Sequence, residues 1–262
     1  WPEQQASLML TMHHLIFDAW SMYVLLKELL AAYGQIAGGE TPDLAPKGPT
    51  FSDYAQFYQQ ALLRRDTGAA KAYWAAALDN AEWGLPLPYK QVKGTTSQYH
   101  MVMGELGQVA TAQLIQENQQ RRLSDFHALL AAFFLALKQQ TGRTDMIVRV
   151  ANANRDAAFP GIESLTGCLA DALPLRLELQ SGDDLATVAG KVKQKMLEAL
   201  RHADLSSQDI AELPIGRQDD GPIVLSPVGL SFLPMHHLGK GAPMPAQSIR
   251  CRTALPFADI SL

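Results

Sequence analysis

The sequence has few cysteines and little excess charge of either sign. Cys168 and Cys251 are its two cysteines, and neither belongs to a CxxC or CxxH pattern. This spacing argues against a disulfide framework and a structural zinc site, and it is typical of proteins in the reducing cytoplasm. The 22 Lys and Arg residues are outnumbered by 26 Asp and Glu. We therefore expect no nucleic acid partner, because phosphates are bound by an excess of basic side chains.

Long hydrophobic runs are also missing. The most apolar stretch, at 126–137, is interrupted by His127 and is shorter than the roughly 20 residues that a membrane-spanning helix needs. The first residues do not have the pattern of a signal peptide. These features predict a soluble protein without a membrane partner.

The sequence does contain enough apolar material for a substantial core. Its 262 residues are 47% apolar, which suits one large domain or two modest ones. Strand-like alternation and helical spacing follow one another along the chain, a pattern that predicts a mixed α/β fold with helices on a sheet. The expected helices lie near 22–33, 51–58, 73–77, 109–119, 125–141 and 184–202, and the expected strands near 7–10, 99–106, 146–151, 172–179, 223–233 and 248–252.

Glycine and proline mark the expected breaks. Gly34 is predicted to end the first helix, whereas Ser124 and Gly142 are predicted to cap the helix between them. Residues 80–97 are rich in Gly, Pro and polar side chains, so we interpret them as a linker between two subdomains. We place these subdomains at 1–90 and 91–262. The chain starts and ends in apolar segments, which predicts that it is part of a larger domain.

The stretch from Met12 to Ser21 is the most informative for chemistry. In an extended chain His13 and His14 point to opposite faces, so they are not a natural ligand pair for one metal ion. An unperturbed imidazole has a pKa near 6.5 and can take a proton from an attacking amine or hydroxyl. Asp18 precedes an expected helix, where a carboxylate either caps the helix or holds an arginine. The alternative is that both histidines are partly buried strand-end residues and that Asp18 is only an N-cap.

The pattern His13-His14-x-x-x-Asp18, followed by Ala-Trp-Ser, resembles the HHxxxDG signature of nonribosomal peptide synthetase condensation domains. Further segments resemble motifs of that family and follow one another in the family's order. They are Phe51-Ser-Asp-Tyr-Ala-Gln-Phe, Ala72-Tyr-Trp, Ala153-Asn154-Arg155, Leu165-Thr-Gly-Cys-Leu-Ala-Asp-Ala-Leu-Pro-Leu-Arg and Phe257-Ala-Asp-Ile-Ser-Leu. The resemblance therefore covers nearly the whole chain.

The resemblance implies a fold of two chloramphenicol-acetyltransferase-like subdomains, each a largely β sheet covered by helices, with the first incomplete here. In the family the active site lies in a tunnel between the subdomains. Upstream and downstream peptidyl carrier domains present substrates as thioesters on 4′-phosphopantetheine arms, and an adenylation domain is adjacent. The acceptor amine attacks the donor thioester and forms an amide. This activity makes the domain an acyltransferase with no bound cofactor or metal.

By the same resemblance His14 is the catalytic residue, which orients or deprotonates the acceptor amine. The supporting residues of the motif are His13, Asp18, Ala19, Trp20 and Ser21, with Asp18 acting through an arginine nearer the N-terminus. The candidate tunnel-lining residues are Asn154, Arg155, Gly167 and Asp171. Two positions depart from the family pattern, since Ala19 stands where the signature has glycine and Asp171 stands where a later motif has asparagine.

Three other functions share parts of this pattern. An epimerisation domain of the same superfamily usually has Ser-Trp after the signature, whereas this chain has Trp20-Ser21. A stand-alone O- or N-acyltransferase that uses acyl-CoA or an acyl carrier also contains HHxxxDG, but the longer series of motifs favours the synthetase. A catalytically weakened docking domain is suggested by Ala19 and Asp171. The sequence as a whole predicts a condensation domain.

Overall fold

A computed structural model of the chain describes residues 8–42, 44, 48–87, 102, 104, 106–155, 159–215, 226 and 228–232. The predicted subdomain boundary at residue 90, the predicted strand at 248–252 and the motif that begins at Phe257 lie outside these ranges. Most residues of the predicted strand at 99–106 also lie outside them.

The described residues form seven helices, a short 3₁₀ helix and three strands. The helices are α1 (Ala19–Ala37), α2 (Phe51–Arg64), α3 (Gly68–Leu78), α4 (Gln108–Gln120), α5 (Asp125–Thr141), α6 (Leu185–Arg201) and α7 (Ser207–Ala211), and the 3₁₀ helix is Ile162–Ser164. The strands are β1 (Asp145–Asn152), β2 (Asp171–Glu178) and β3 (Gly229–Leu230). None of the described helices is both long enough and apolar enough to cross a membrane.

The three strands form one sheet with β1 in its centre. The strand order is β2-β1-β3, and β1 pairs with β3 in parallel, with Arg149 opposite Gly229 and Val150 opposite Leu230. Two compact units make up the described residues, one of residues before 66 together with 152–171 and the other of 66–151 together with 172–232. Every candidate site residue belongs to the first unit.

The core of the second unit is built on its sheet and helices. β1 buries the adjacent residues Met146, Ile147 and Val148, and a run of adjacent buried residues indicates a strand that is covered on both faces. α5 packs against α6 and α4. It contributes Leu130 and Phe134, whose side chains are fully buried. The apolar run that is too short for a membrane is therefore a core helix.

Two motif residues hold α3 in place within the second unit. Trp74 is 1% exposed, and its Nε1 donates a hydrogen bond to the carbonyl oxygen of His202 at 2.8 Å. Arg176 on β2 pairs with Asp145 at 2.6 Å and donates to the carbonyl oxygen of Asp79 at 2.8 Å. Carbonyl groups at the end of a helix have no partner inside the helix, so a guanidinium there satisfies them.

The predicted caps of α5 are confirmed, and so is the predicted start of α6. The side chain of Ser124 accepts a hydrogen bond from the backbone N–H of His127, and Gly142 adopts a left-handed conformation with φ 70° after the last helical residue. The side chain of Asp184 accepts a hydrogen bond from the backbone N–H of Thr187. Both helices therefore begin where the sequence signals place them.

The predicted end of α1 is wrong. The helix passes through Gly34 and ends at Ala37, where the N–H of Gly38 donates to the carbonyl oxygen of Gly34 at 3.0 Å. An internal glycine costs a helix about 1 kcal/mol, which is too little to end one of 19 residues. Residues 8–10 form no strand, because no described strand pairs with them.

Candidate active site

The two adjacent histidines lie in and beside a turn that precedes α1. The backbone N–H of Ile16 donates to the carbonyl oxygen of His13 at 3.1 Å, and the backbone N–H of Leu15 donates to Nδ1 of His13 at 3.1 Å. Both histidines are exposed. His13 is held by its own turn, whereas the side chain of His14 contacts a distant segment. The two imidazoles therefore have different partners.

Asp18 is the N-cap of α1. Its backbone is extended, with φ −124° and ψ −177°, and its carboxylate accepts a hydrogen bond from the backbone N–H of Ser21 at 2.8 Å. The helix dipole also favours a negative charge at this end. The predicted capping role is confirmed.

The same carboxylate holds an arginine and a loop. Nη2 of Arg155 lies 3.1 and 3.0 Å from the two carboxylate oxygens of Asp18. The backbone N–H groups of Leu169 and Ala170 donate to Oδ2 of Asp18 at 3.0 and 3.1 Å. The side chains of Arg155 and Asp18 are 4% and 0% exposed. Charges buried this deeply must be paired and hydrogen-bonded, so Asp18 fastens the 167–170 loop to the start of α1.

Ser21 binds the same loop. Its Oγ accepts a hydrogen bond from the backbone N–H of Gly167 at 2.9 Å. The carboxylate of Asp18, at 2.8 Å, and the carbonyl oxygen of Gly167, at 2.9 Å, are the acceptors for its single proton. Ser21 is fully buried, so a large side chain there would displace the loop. We call Asp18, Ser21, Arg155 and the 167–170 backbone the Asp18 cluster.

Asp18 stays ionised inside this cluster. Burial raises the pKa of its carboxyl group, but the hydrogen bonds from Ser21 and Leu169 and the charge of Arg155 lower it by more, so its pKa lies below its ordinary value. A carboxylate that is ionised and fully hydrogen-bonded has no proton to donate and little capacity to accept one. Asp18 therefore supports the site without acting as an acid or a base.

The arginine that pairs with Asp18 comes later in the chain, not nearer the N-terminus as expected. Arg155, a candidate tunnel-lining residue, has its guanidinium buried against Asp18. Asn154, also a candidate tunnel-lining residue, is half-buried and left-handed, with φ 53°, a conformation that asparagine adopts more readily than most residues. Its N–H donates to Oδ1 of Asn152 at 3.2 Å. The turn at Asn154 sets the position from which Arg155 reaches Asp18.

Cys168 lies beside the candidate catalytic histidine. Its Sγ is 3.6 Å from Nδ1 of His14. Burial raises the pKa of the Cys168 thiol, and the charges of Asp18 and Asp171 raise it further against the opposing charge of Arg155. A thiol with a raised pKa is protonated at neutral pH and is not a nucleophile. Sequence spacing does not reveal this contact, because the two residues are 154 positions apart.

Trp20 and Ala19 form the first turn of α1. Nε1 of Trp20 donates a hydrogen bond to the carbonyl oxygen of Glu163 at 2.8 Å. Ala19 is the first helical residue and is not among the described residues with positive φ. The conformational freedom of glycine is therefore not needed at this position, and alanine fits the turn.

We expect Ala19→Gly to lower the free energy of unfolding by about 0.5–1 kcal/mol, because glycine loses more backbone entropy than alanine when it enters a helix. Urea denaturation followed by circular dichroism measures the change. An unchanged or higher midpoint would show that residue 19 does not need a helix former.

The 167–170 loop packs against aromatic residues of α2. A Cβ atom at Gly167 would lie too close to the ring of Phe51, so glycine lets the loop approach the helix. Leu165 and Leu169 are buried with Tyr54 of α2 in one apolar cluster. The aromatic motif at the start of α2 therefore braces this loop.

Asp171 adds negative charge to the site. It is half-buried and is the first residue of β2. Its negative charge is one of those that raise the pKa of Cys168. The carboxylate at the position where the resemblance expects asparagine therefore affects a residue of the 167–170 loop. In the described part of the chain, no three His, Cys, Asp or Glu side chains are grouped to hold a metal ion.

Comparison with known proteins identifies the family of this chain. The family model described as "Condensation domain" matches residues 1–228. A linear gramicidin synthase of Brevibacillus parabrevis is 29% identical over 265 residues, an alignment that covers 97% of this chain and 3% of that protein. The chain therefore spans a small fraction of the length of such a synthase.

Solved structures show the same fold. The first condensation domain of the CDA synthetase has a TM-score of 0.67 and 20% identity, covering 84% of this chain and 46% of that one. The X-domain from teicoplanin biosynthesis has a TM-score of 0.64 and 25% identity, covering 83% of this chain and 50% of that one. The predicted mixed α/β, chloramphenicol-acetyltransferase-like fold is confirmed. The chain belongs to the condensation-domain family of nonribosomal peptide synthetases.

Proposed function

We propose that this chain forms an amide bond between two carrier-bound substrates, as a peptide-bond-forming acyltransferase. The amine of an acceptor aminoacyl thioester attacks the carbonyl carbon of a donor acyl or peptidyl thioester. A C–N bond forms and the donor C–S bond breaks. The amine loses one proton, and the pantetheine thiol of the donor arm is released in its protonated form.

The observation that carries this proposal is the position of His14. It is exposed and lies four residues before Asp18, whose buried ion pair with Arg155 and bond to Leu169 fix the start of α1 and the 167–170 loop. The imidazole of His14 therefore lies next to a helix start and a loop that are held together by buried contacts. A thioester is already activated, so the remaining tasks are to place the amine and to accept its proton.

The groups around His14 do not compete for this role. Asp18 has a lowered pKa and is fully hydrogen-bonded. Cys168 has a raised pKa and stays a thiol. Arg155 is buried in its ion pair, and Nδ1 of His13 accepts a hydrogen bond within its own turn. His14 is the group whose chemistry suits proton transfer from an amine at neutral pH.

The proposed reaction needs partner domains. Upstream and downstream peptidyl carrier domains deliver the two substrates on 4′-phosphopantetheine arms, and an adjacent adenylation domain activates an amino acid. The arms carry substrates, so the proposal includes no resident cofactor or metal. The similarity to a linear gramicidin synthase supports this setting. We also propose a cytoplasmic location, where widely spaced cysteines stay reduced.

A reconstituted assay tests the function. Donor and acceptor carrier proteins are each loaded with an aminoacyl arm and mixed with the protein, and carrier-bound products are followed by mass spectrometry. We expect a dipeptidyl thioester on the acceptor carrier only when both carriers are loaded. Efficient transfer from acyl-CoA without a donor carrier would instead indicate a stand-alone acyltransferase. Binding of loaded carriers without product would indicate a docking domain.

A further inference from the structure

Cys168 stands beside His14 on a segment that is held on both sides. Gly167, the residue before it, both donates a hydrogen bond to Oγ of Ser21 and offers its carbonyl oxygen to the same hydroxyl. The N–H of the residue after it donates to Asp18. These contacts hold the backbone on both sides of Cys168 independently of His14. Sγ of Cys168 lies 3.6 Å from Nδ1 of His14, and on the cysteine side of this contact the backbone is held by hydrogen bonds.

We propose that Cys168 is a positioning residue whose sulfur accepts a hydrogen bond from Nδ1–H of His14 and thereby keeps the Nε2 lone pair available to the substrate amine. The inference rests on the proposed function, because deprotonation of an amine requires an unprotonated ring nitrogen. In a neutral imidazole one of the two ring nitrogens carries a proton and the other has a lone pair. The hydrogen-bond partner of one nitrogen determines which tautomer forms. With Nδ1 committed to sulfur, Nε2 is the nitrogen left for chemistry.

The charges that face the pair favour a neutral thiol. Burial raises the pKa of Cys168, with further raising by Asp18 and Asp171 and an opposing effect of Arg155. A thiolate would pair with an imidazolium ring, which has no lone pair for an amine. The pair therefore acts through a hydrogen bond and not as a nucleophilic dyad.

The opposite hydrogen bond, from the thiol S–H to Nδ1, has a different consequence. It places the ring proton on Nε2, which then donates a hydrogen bond and accepts no proton. The two arrangements differ in the position of one proton on the His14 ring. A measurement of the tautomer therefore distinguishes them.

Nitrogen NMR of the ¹⁵N-histidine-labelled chain reads this tautomer. The sequence has 7 histidines, and His14→Ala identifies the His14 signals by their loss. At about pH 8, above the ordinary range of histidine, we expect the proton on Nδ1. In Cys168→Ala the ratio of the Nδ1–H to the Nε2–H form should fall about two- to fivefold, the effect of one weak hydrogen bond.

Ser124→Ala is the matched control, because it removes the N-cap hydrogen bond of α5 in the second unit and leaves the 167–170 loop and its sulfur in place. We expect it to lower Tm and to leave the tautomer ratio unchanged. A proton on Nε2 in the unsubstituted chain would overturn the proposal. So would an unchanged ratio in Cys168→Ala, or an equal change of the ratio in both variants.

The tautomer measurement needs neither carrier proteins nor turnover. A failed condensation assay together with the expected tautomer would therefore count against the proposed function alone. A working assay together with a proton on Nε2 would count against the role of Cys168 alone.

Discussion

Replacing His14 by alanine should lower the rate of dipeptidyl thioester formation by about 10²- to 10⁴-fold, the usual contribution of a positioned general base. The fold should remain, because His14 is exposed and the buried contacts at the start of α1 are made by Asp18 and Ser21. Single-turnover kinetics with preloaded carriers measure the rate, so that carrier loading does not limit it.

His13→Ala is the matched control for this variant. It removes the neighbouring imidazole, whose Nδ1 accepts the N–H of Leu15 within the turn. We expect at most about a tenfold loss of rate, which corresponds to one hydrogen bond. A His14→Ala protein as fast as the unsubstituted one would refute the base role. Equal losses in both variants would assign the effect to the turn.

The helices that the sequence predicts best are those with local signals at their ends. Ser124 and Asp184 are N-caps that also interrupt the apolar pattern, so α5 and α6 begin where expected. The predicted end of α1 is wrong because it rests on the low helix propensity of Gly34 alone. The residues on both sides of Gly34 are helical, and the helix continues through it. The five-residue α7 has too few residues for a helical period to show.

The candidate site is predictable only in part, because only some of its contacts join residues that are close in the sequence. The cap at Asp18 is local, whereas the contacts of Asp18 with Arg155 and of His14 with Cys168 span 137 and 154 residues. Spacing within a motif does not specify such contacts. One signal does exist, since no Lys or Arg precedes Asp18 in the sequence. A buried carboxylate at a helix N-cap needs a cation, so its partner within this chain has to come from a later segment.

Removal of Arg155 should have the largest effect on stability. In Arg155→Met the carboxylate of Asp18 stays buried without its cation, which typically costs about 3–5 kcal/mol and lowers Tm by about 6–20 °C in a chain of this size. Lys195→Met is the matched control, because Lys195 forms an ion pair with Glu198 at 3.2 Å in which the two side chains are 48% and 30% exposed. Loss of such an exposed pair should cost at most about 1 kcal/mol. Urea denaturation measures both variants.

A double variant and a pH series show whether buried charge is the cause. Asp18→Asn combined with Arg155→Met should destabilise the fold less than Arg155→Met alone, because no uncompensated charge stays buried. The pKa of Asp18 is lowered in the folded chain, so the ionised carboxylate stabilises the fold above about pH 4, and this stabilisation is lost as the pH falls through the folded pKa. The double variant should lack this part of the acid dependence. An Arg155→Met protein as stable as the unsubstituted chain would mean that the 167–170 loop is held by other contacts. The inference that the Asp18–Arg155 pair supports His14 and Cys168 would then be wrong.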